Sequence, residues 1–303
     1  MKTRIQCLIL TIFVIVPLLI APVSAEGGED PVRRCLVLGC DRAASLTDTI
    51  LLVAWNPTNG DLSALQIPRD TYAEYTERDY RKLNGAYRTL GMDGCKRFLS
   101  RALGVRIDYC IAMDLDCVPL LVDAVGGVDV DVPMDMVYHD PAQGLDIDLR
   151  QGRQHLDGAA AESFVRFRSG YVNADLGRME AQRTFLRAFA EKCATLDSGS
   201  VLRLFLLSAP HVRTDLPVSE VFRVSGKTLC RDPSAIPIMA LPGKAVQGTS
   251  GAWYFVPNRH EALEQVNACL MPPSPVTDAC FDPDRVFDRA EHPEFHQIYS
   301  SAP

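Results

Sequence analysis

Three short apolar runs, each closed by a turn signal, limit the folds open to this chain more than any other feature. Residues 35–39 (CLVLG), 49–55 (TILLVAW) and 62–67 (LSALQI) read as buried strands, and a glycine or proline stops the first and third. Between the second and third lies Asn56-Pro57-Thr58-Asn59-Gly60, whose Asn-Gly pair is a hairpin signal. Further on, residues 107–113 (IDYCIAM) read as a strand, 115–124 as a helix closed by Gly126-Gly127, and 128–132 as the next strand. Strand, helix and strand in that order predict an α/β sheet covered by helices.

The rest of the chain fits the same class. Residues 84–103 read as a helix in two pieces, broken near Gly91 to Gly94. Residues 146–149 read as a strand, and Asp157 as the cap of a short helix through Ser163. Phe164-Val165-Arg166-Phe167-Arg168 reads as a strand, followed by a strong helix over 176–193. Residues 201–207, 212–215 and 219–225 suggest short helices with a link, 236–241 and 253–256 a strand pair, and 260–270 a last helix. From Met271 onward proline and charge dominate without an apolar period, so residues 271–303 are expected to be a disordered tail.

Lys2 and Arg4 precede an apolar run over 7–23, and Val23-Ser24-Ala25 ends it with small residues. That is the order of a secretory signal over residues 1–25; the run is also nearly long enough to serve as a retained anchor. In either case the basic residues direct the body away from the cytoplasm. Thiols tend to pair in that compartment, yet the nine cysteines left after a cleaved signal are odd in number and show no zinc spacing. Cys230, Cys269 and Cys280 are candidate staples, with buried free thiols as the other reading. A net charge of −7 argues against a protein that holds nucleic acid by bulk positive charge.

Chemistry-bearing residues gather where strands end. Asp41 follows the first strand, Asp48 opens the second, and Arg69 and Asp70 follow the third after Pro68. Carboxylates brought together there would hold a hard cation such as Mg²⁺ or Mn²⁺, or else they are solvated loop acids. In the FVRFR segment, strand alternation would set Arg166 and Arg168 on one face, where two guanidiniums match a pyrophosphate or pair with internal carboxylates. Arg178, Gln182, Phe185 and Phe189 follow a 4-3-4 spacing and so share one helix face, which the aromatics turn inward. Arg178 thereby lies near a helix amino terminus, a place suited to an anion, and Asp175 is placed to cap that terminus. Arg183 and Arg187 fall on another face, read as solvated. Lys82 stands at the entry to the helix after Arg69, either a phosphate contact or a surface lysine. Tyr72, Tyr75 and Tyr80 are a loop's own packing or a sugar platform, and His139 and His155 are not spaced as a metal pair.

The segments CLVLGCD, LTDTILLVAWNP, LQIPRDTY, KLNGAY, IDYCIAMDLDCVPLLVDAVGGVDVDVP, LRQGRQHLDG, FVRFR and DLGRMEAQ, in this order, resemble the LytR–CpsA–Psr family of cell-wall glycopolymer transferases. The resemblance covers residues 35–193 closely and extends more loosely to about residue 270, a single catalytic domain over 33–270. It implies an α–β–α sandwich around a central mixed sheet, with an apolar cavity for a polyprenyl chain. It implies that Arg69, Lys82, Arg166, Arg168, Arg178 and Gln182 bind pyrophosphate, that Asp41 and Asp48 serve a divalent metal, that Asp175 supports the site, and that Asp70 orients Arg69. The catalytic set on this reading is Arg69, Asp70, Arg166, Arg168, Asp175 and Arg178. The expected partners are a polyprenyl-pyrophosphate-linked glycopolymer of teichoic acid or capsular type, a peptidoglycan acceptor and the membrane surface, in the extracytoplasmic envelope. A pyrophosphatase and a non-catalytic lipid-linked glycan carrier are the alternatives. Two departures stand out: Leu46 occupies a place where the family often has arginine, with Arg42 as a replacement, and Ala181 stands where another arginine is common, with Arg183 in place of a glutamine.

Overall fold

The computed structural model describes residues 30–41, 46–73, 75, 82–140, 145–167, 169, 174–217, 220, 236–248, 251–278 and 280. Outside them lie the apolar amino-terminal segment, Arg42, Tyr80, Arg168, Cys7, Cys230, the expected helix over 219–225 except Glu220, and the chain after Cys280. In chain order the elements are β1 (Arg33–Cys40), β2 (Thr47–Trp55), β3 (Leu62–Ile67), α1 (Ala86–Leu103), β4 (Tyr109–Asp114), α2 (Val118–Ala124), β5 (Val128–Val132), β6 (Met136–Asp140), β7 (Leu145–Leu149), β8 (Gly152–Leu156), α3 (Gly158–Arg166), α4 (Ala174–Cys193), α5 (Ser198–Ser208), β9 (Val212–Thr214), β10 (Ile238–Ala240), β11 (Gly243–Gln247), β12 (Trp253–Pro257) and α6 (Arg259–Leu270). None of the described helices is long and apolar enough to cross a membrane.

The fold is α/β, and the described residues form two compact units. The first contains a mixed six-stranded sheet in the order β10-β3-β2-β1-β4-β9. β2 lies between β1 and β3 and is antiparallel to both, while β4 joins β1 and β10 joins β3 in parallel. All six residues of β3 and the last six of β2 are buried, which is why these segments are apolar without alternation. One core packs Leu36, Leu52 and Leu65 of the sheet with Phe98 and Leu99 of α1 and Val266 of α6. The break expected in α1 falls at Gly91, whose φ of 67° and ψ of −174° only glycine adopts without strain.

The second unit holds two antiparallel strand pairs, β5 with β8 and β6 with β7, together with α2, α3, α4 and α5. Val128, Val130 and Val132 of β5 face inward while Asp129 and Asp131 face solvent. Asp157 caps α3 by accepting from the Ala160 amide at 2.9 Å. α3 packs against α2 through Gly158, whose amide donates to Asp123 at 2.7 Å. A Cβ on Gly158 would come within 2.3 Å of the Pro119 carbonyl oxygen. The Cβ position is set by the backbone and its partner is a backbone oxygen, so no rotamer relieves the clash. Gly158→Ala is expected to destabilise the protein by about 1–3 kcal/mol, read by thermal unfolding; an unchanged Tm would contradict the packing described.

Several expectations are corrected. The strand expected over 164–168 is replaced by helix at residues 164–166: α3 runs on through Arg166, because a capped start and Ala159-Ala160-Ala161 favour helix. Phe164 and Phe167, three apart, have helical spacing, and both are buried. Residues 212–214 form β9 at the sheet edge rather than a helix, with Thr214 donating to the Cys110 carbonyl at 2.8 Å. The strands expected near 236–241 and 253–256 exist but do not pair with each other. β10 lies beside β3, and β12 pairs with β11. β6, β8 and β11 were not foreseen, since their mixed polar sequences carry no clean two-residue period.

The tail expected to lack order begins ordered. Val276 is buried in the core of the first unit, and Asn267 both donates to its carbonyl at 3.0 Å and accepts from its amide at 2.7 Å. The buried guanidinium of Arg34 donates to the carbonyls of Leu270 and Met271 at 2.7 Å each, closing the carboxy-terminal end of α6. The eight described cysteines are free thiols, and all but Cys40 and Cys280 are buried. Burial pushes the Cys95 thiol from 9.0 up to about 12, and those of Cys40 and Cys269 up to about 11. These groups therefore stay protonated and unreactive at neutral pH.

Candidate functional site

In the first unit the site is assembled at the ends of β1, β2 and β3. Across β1 and β2, Gly39 stands opposite Thr49 and Cys40 opposite Thr47, so Asp48 is the extra residue of a β-bulge. A bulge re-aims the side chain it carries. The carboxylate of Asp48 is thereby presented to Arg69, with which it forms a short hydrogen-bonded ion pair. The Asp41 amide donates to the Leu46 carbonyl at 2.8 Å, so Asp41 stands on the adjoining strand end.

Pro68 ends β3 and the chain turns at once, with both the amide and the hydroxyl of Thr71 donating to the Pro68 carbonyl at 3.1 and 2.6 Å. This turn fixes Arg69 and Asp70. The Asn84 amide donates to the Arg69 carbonyl, and the Phe255 amide of β12 donates to the Asp70 carbonyl at 2.8 Å. Asp70 faces two cations: one oxygen is 3.0 Å from the Lys82 ammonium and the other 3.9 Å from Nε of Arg69. Asp48, Arg69, Asp70 and Lys82 thus form a row of alternating charge.

Lys82 is not a loose surface lysine. Its side chain is 30 % exposed, and its ammonium lies 5.7 Å from the ring centroid of Tyr254 as well as against Asp70. Its carbonyl accepts from the Tyr75 hydroxyl at 2.8 Å, and Tyr72 bridges to it through the backbone. Tyr72 is buried and Tyr75 packs edge-on to Phe98, so these two tyrosines are loop packing. Tyr254 is the residue that the sequence reading missed. It is distant in sequence, and nothing local marks it.

In the second unit, α4 carries Arg178, Gln182 and Phe185 on one buried face, as their spacing predicts, and Phe185 stacks on Phe189 at 5.8 Å. Arg178 is only 2 % exposed. Arg187 is exposed as expected, whereas Arg183 is partly buried, and desolvation lowers its pKa. Ala181 is buried beside Gln182, so the departure from the family pattern lies on the inward side. Asp175 lies in the first turn of α4, its side chain outside the described residues.

Arg166 departs most from expectation. In the last turn of α3 its side chain is 44 % exposed, and it pairs with Glu162 one turn earlier at 3.0 Å. The strand face that would have aligned it with Arg168 does not exist, and Arg168 lies outside the described residues. His139 and His155 are exposed and rest against Asp146 and Asp129 at 3.3 and 2.9 Å.

Among the described residues no group of three or more His, Cys, Asp or Glu is placed to hold a metal ion. Mg²⁺ is commonly held by one or two carboxylates, with water and substrate phosphate completing its shell. Asp41 and Asp48, at the neighbouring ends of β1 and β2, are the carboxylates that would meet that smaller requirement, and Asp48 is engaged by Arg69.

The family model described as LytR_cpsA_psr family matches residues 24–269. The polyisoprenyl-teichoic acid–peptidoglycan teichoic acid transferase TagU of Bacillus cereus is 32% identical over 233 residues, covering 73% of this chain and 72% of that protein. The corresponding transferase TagV of Bacillus subtilis is 26% identical over 230 residues, covering 74% of this chain and 59% of that one. Among solved structures, B. subtilis TagV superposes with a TM-score of 0.68 at 22% identity, covering 82% of this chain and 100% of that one. TagT bound to LIIa-WTA gives 0.63 at 23%, covering 81% and 94%. At such identities these structural likenesses establish the fold.

Proposed function

Because this chain belongs to the LytR_cpsA_psr family, we propose that it is a phosphotransferase that moves a glycopolymer from a polyprenyl-pyrophosphate carrier onto peptidoglycan. The observation that carries the reading on to this chain's own chemistry is the Asp48–Arg69–Asp70–Lys82 row at the strand ends. Two cations held by carboxylates in a turn after a strand suit a pyrophosphate, which accepts from a planar guanidinium and from an ammonium. The relatives named above as teichoic acid transferases support a teichoic acid type of glycopolymer.

The acceptor hydroxyl attacks the phosphorus that bears the glycan, a new P–O bond forms, and the bond to the departing polyprenyl phosphate breaks. Such transfers need positioning and charge neutralisation more than covalent help from the protein. Arg69 and Lys82 bind the phosphate oxygens and stabilise the charge that gathers on the leaving group. Asp70, with an oxygen facing each of them, orients both. Asp48, with Asp41, would hold a divalent cation, Mg²⁺ or Mn²⁺, which supplies further positive charge to the phosphates. For Arg178 and Gln182 a pyrophosphate role, with Asp175 in support, rests on the resemblance, as it does for Arg166 and Arg168. The basic start and apolar run of residues 1–25 support an extracytoplasmic location at the membrane surface.

The test supplies the purified protein with a synthetic polyprenyl-pyrophosphate-linked glycan, with and without a peptidoglycan acceptor. The expected product is a glycan–peptidoglycan phosphodiester that forms only with acceptor. Glycan phosphate released equally fast without acceptor would make the protein a pyrophosphatase. Substrate that binds and stays intact would make it a carrier.

A further inference from the structure

The ammonium of Lys82 is held by two groups of different chemistry. Asp70 lies 3.0 Å away, and the ring centroid of Tyr254 5.7 Å away. The ring is itself fixed. Tyr72, fully buried, meets it edge-on at 5.4 Å, and the Tyr72 amide donates to the Phe255 carbonyl at 2.9 Å. The Phe255 amide donates in turn to the Asp70 carbonyl. One strand, β12, therefore sets both walls of the cradle, the tyrosine ring through its side chain and Asp70 through its backbone. An ammonium has three donors, and a π face attracts a cation without consuming its charge as a second carboxylate would.

From this geometry we infer that Tyr254 is a positioning residue for the transfer reaction: it holds Lys82 in place without setting a second carboxylate beside the one at Asp70, so no further negative charge faces the substrate pyrophosphate. The inference rests on the transferase reading and deepens it. A carboxylate in place of Tyr254 would fix the lysine but give it two carboxylates for one charge, turning the pair net negative toward an anion. An aliphatic residue would keep the charge and lose the hold on a long, flexible side chain. An aromatic ring meets both needs.

The test is a thermodynamic cycle read by calorimetric binding of geranylgeranyl diphosphate to the full chain, with glycan transfer followed in the same variants. Tyr254→Leu is expected to weaken binding about fivefold, as loss of a partly exposed cation–π contact implies. Tyr254→Phe keeps the ring and is expected to stay within about twofold of the parent. Lys82→Ala alone should weaken binding, and adding Tyr254→Leu to it should cost nothing more, because the two act as one. In transfer kinetics the Tyr254→Leu defect should fall on kcat as well as KM, because Lys82 both binds the pyrophosphate and stabilises the leaving group, while Tyr254→Phe restores both. Should Tyr254→Leu fail to fold, phenylalanines of increasing ring fluorination at position 254 drain the π charge at nearly constant shape, and affinity should fall in step. Losses that multiply in the double variant, a Tyr254→Phe as poor as Tyr254→Leu, or indifference to fluorination would overturn the inference. Indifference of binding to Lys82→Ala would overturn it together with the anion role of Lys82. The transferase reading fails separately, by absence of acceptor-dependent product in the parent protein.

Discussion

Arg69→Ala is expected to reduce glycopolymer transfer by about 10²–10³-fold, the usual loss when one donor to a developing anion is removed. The position makes the effect large. Arg69 is fixed by the turn after Pro68, its carbonyl accepts from Asn84, and its guanidinium lies between the carboxylates of Asp48 and Asp70. Removing it takes a cation from the substrate and also leaves those carboxylates facing an incoming pyrophosphate, so attraction becomes repulsion. Arg69→Lys should recover only a small part, since an ammonium lacks the planar fork that answers both a carboxylate and a phosphate. Acceptor-dependent product formation, with circular dichroism to verify the fold, provides the measurement. Transfer by Arg69→Ala at parental kcat/KM would remove the charge row from the mechanism.

Arg178→Ala is expected to cost about 10²-fold in transfer, whereas Arg187→Ala on the same helix should stay within about twofold, as surface substitutions do. Arg178 is buried on the face of α4 that carries Gln182 and Phe185, while Arg187 is exposed. Because truncating a buried arginine also disturbs packing, Arg178→Lys is the sharper variant. It keeps the charge and much of the volume but loses the bidentate geometry, so binding of a diphosphate should fall with a smaller loss of thermal stability. If Arg178→Lys and Arg178→Ala both lower Tm while the folded fraction retains full kcat/KM, the residue is structural and its place among the anion contacts is lost.

The two arginine groups were legible in the sequence to different degrees, for a physical reason. Arg178 was placed correctly because a helix repeats locally: a 4-3-4 spacing with two phenylalanines defines an inward face without knowledge of what it meets. Arg166 was misplaced because FVRFR satisfies two periods at once. Its alternation fits a strand, and its phenylalanines three apart fit a helix. The Asp157 cap and the alanines before it decided for helix, and Arg166 turned toward Glu162 and solvent. The free cysteines illustrate the same limit, since only the packing around each thiol decides between a staple and a buried hydrophobe.

By itself the sequence determined the apolar strands, the Asn-Gly hairpin, the break at Gly91, the cap at Asp157 and the inward face of α4. Each of these depends on residues within a turn or two of one another, where spacing and backbone preference act directly. Only the tertiary structure decided that Asp48 is the bulged residue of β2, that Asp70 stands between Arg69 and Lys82, and that Tyr254 lies beside Lys82. Those outcomes depend on strand register and on chain segments far apart in sequence meeting in space, where no local period records the partner.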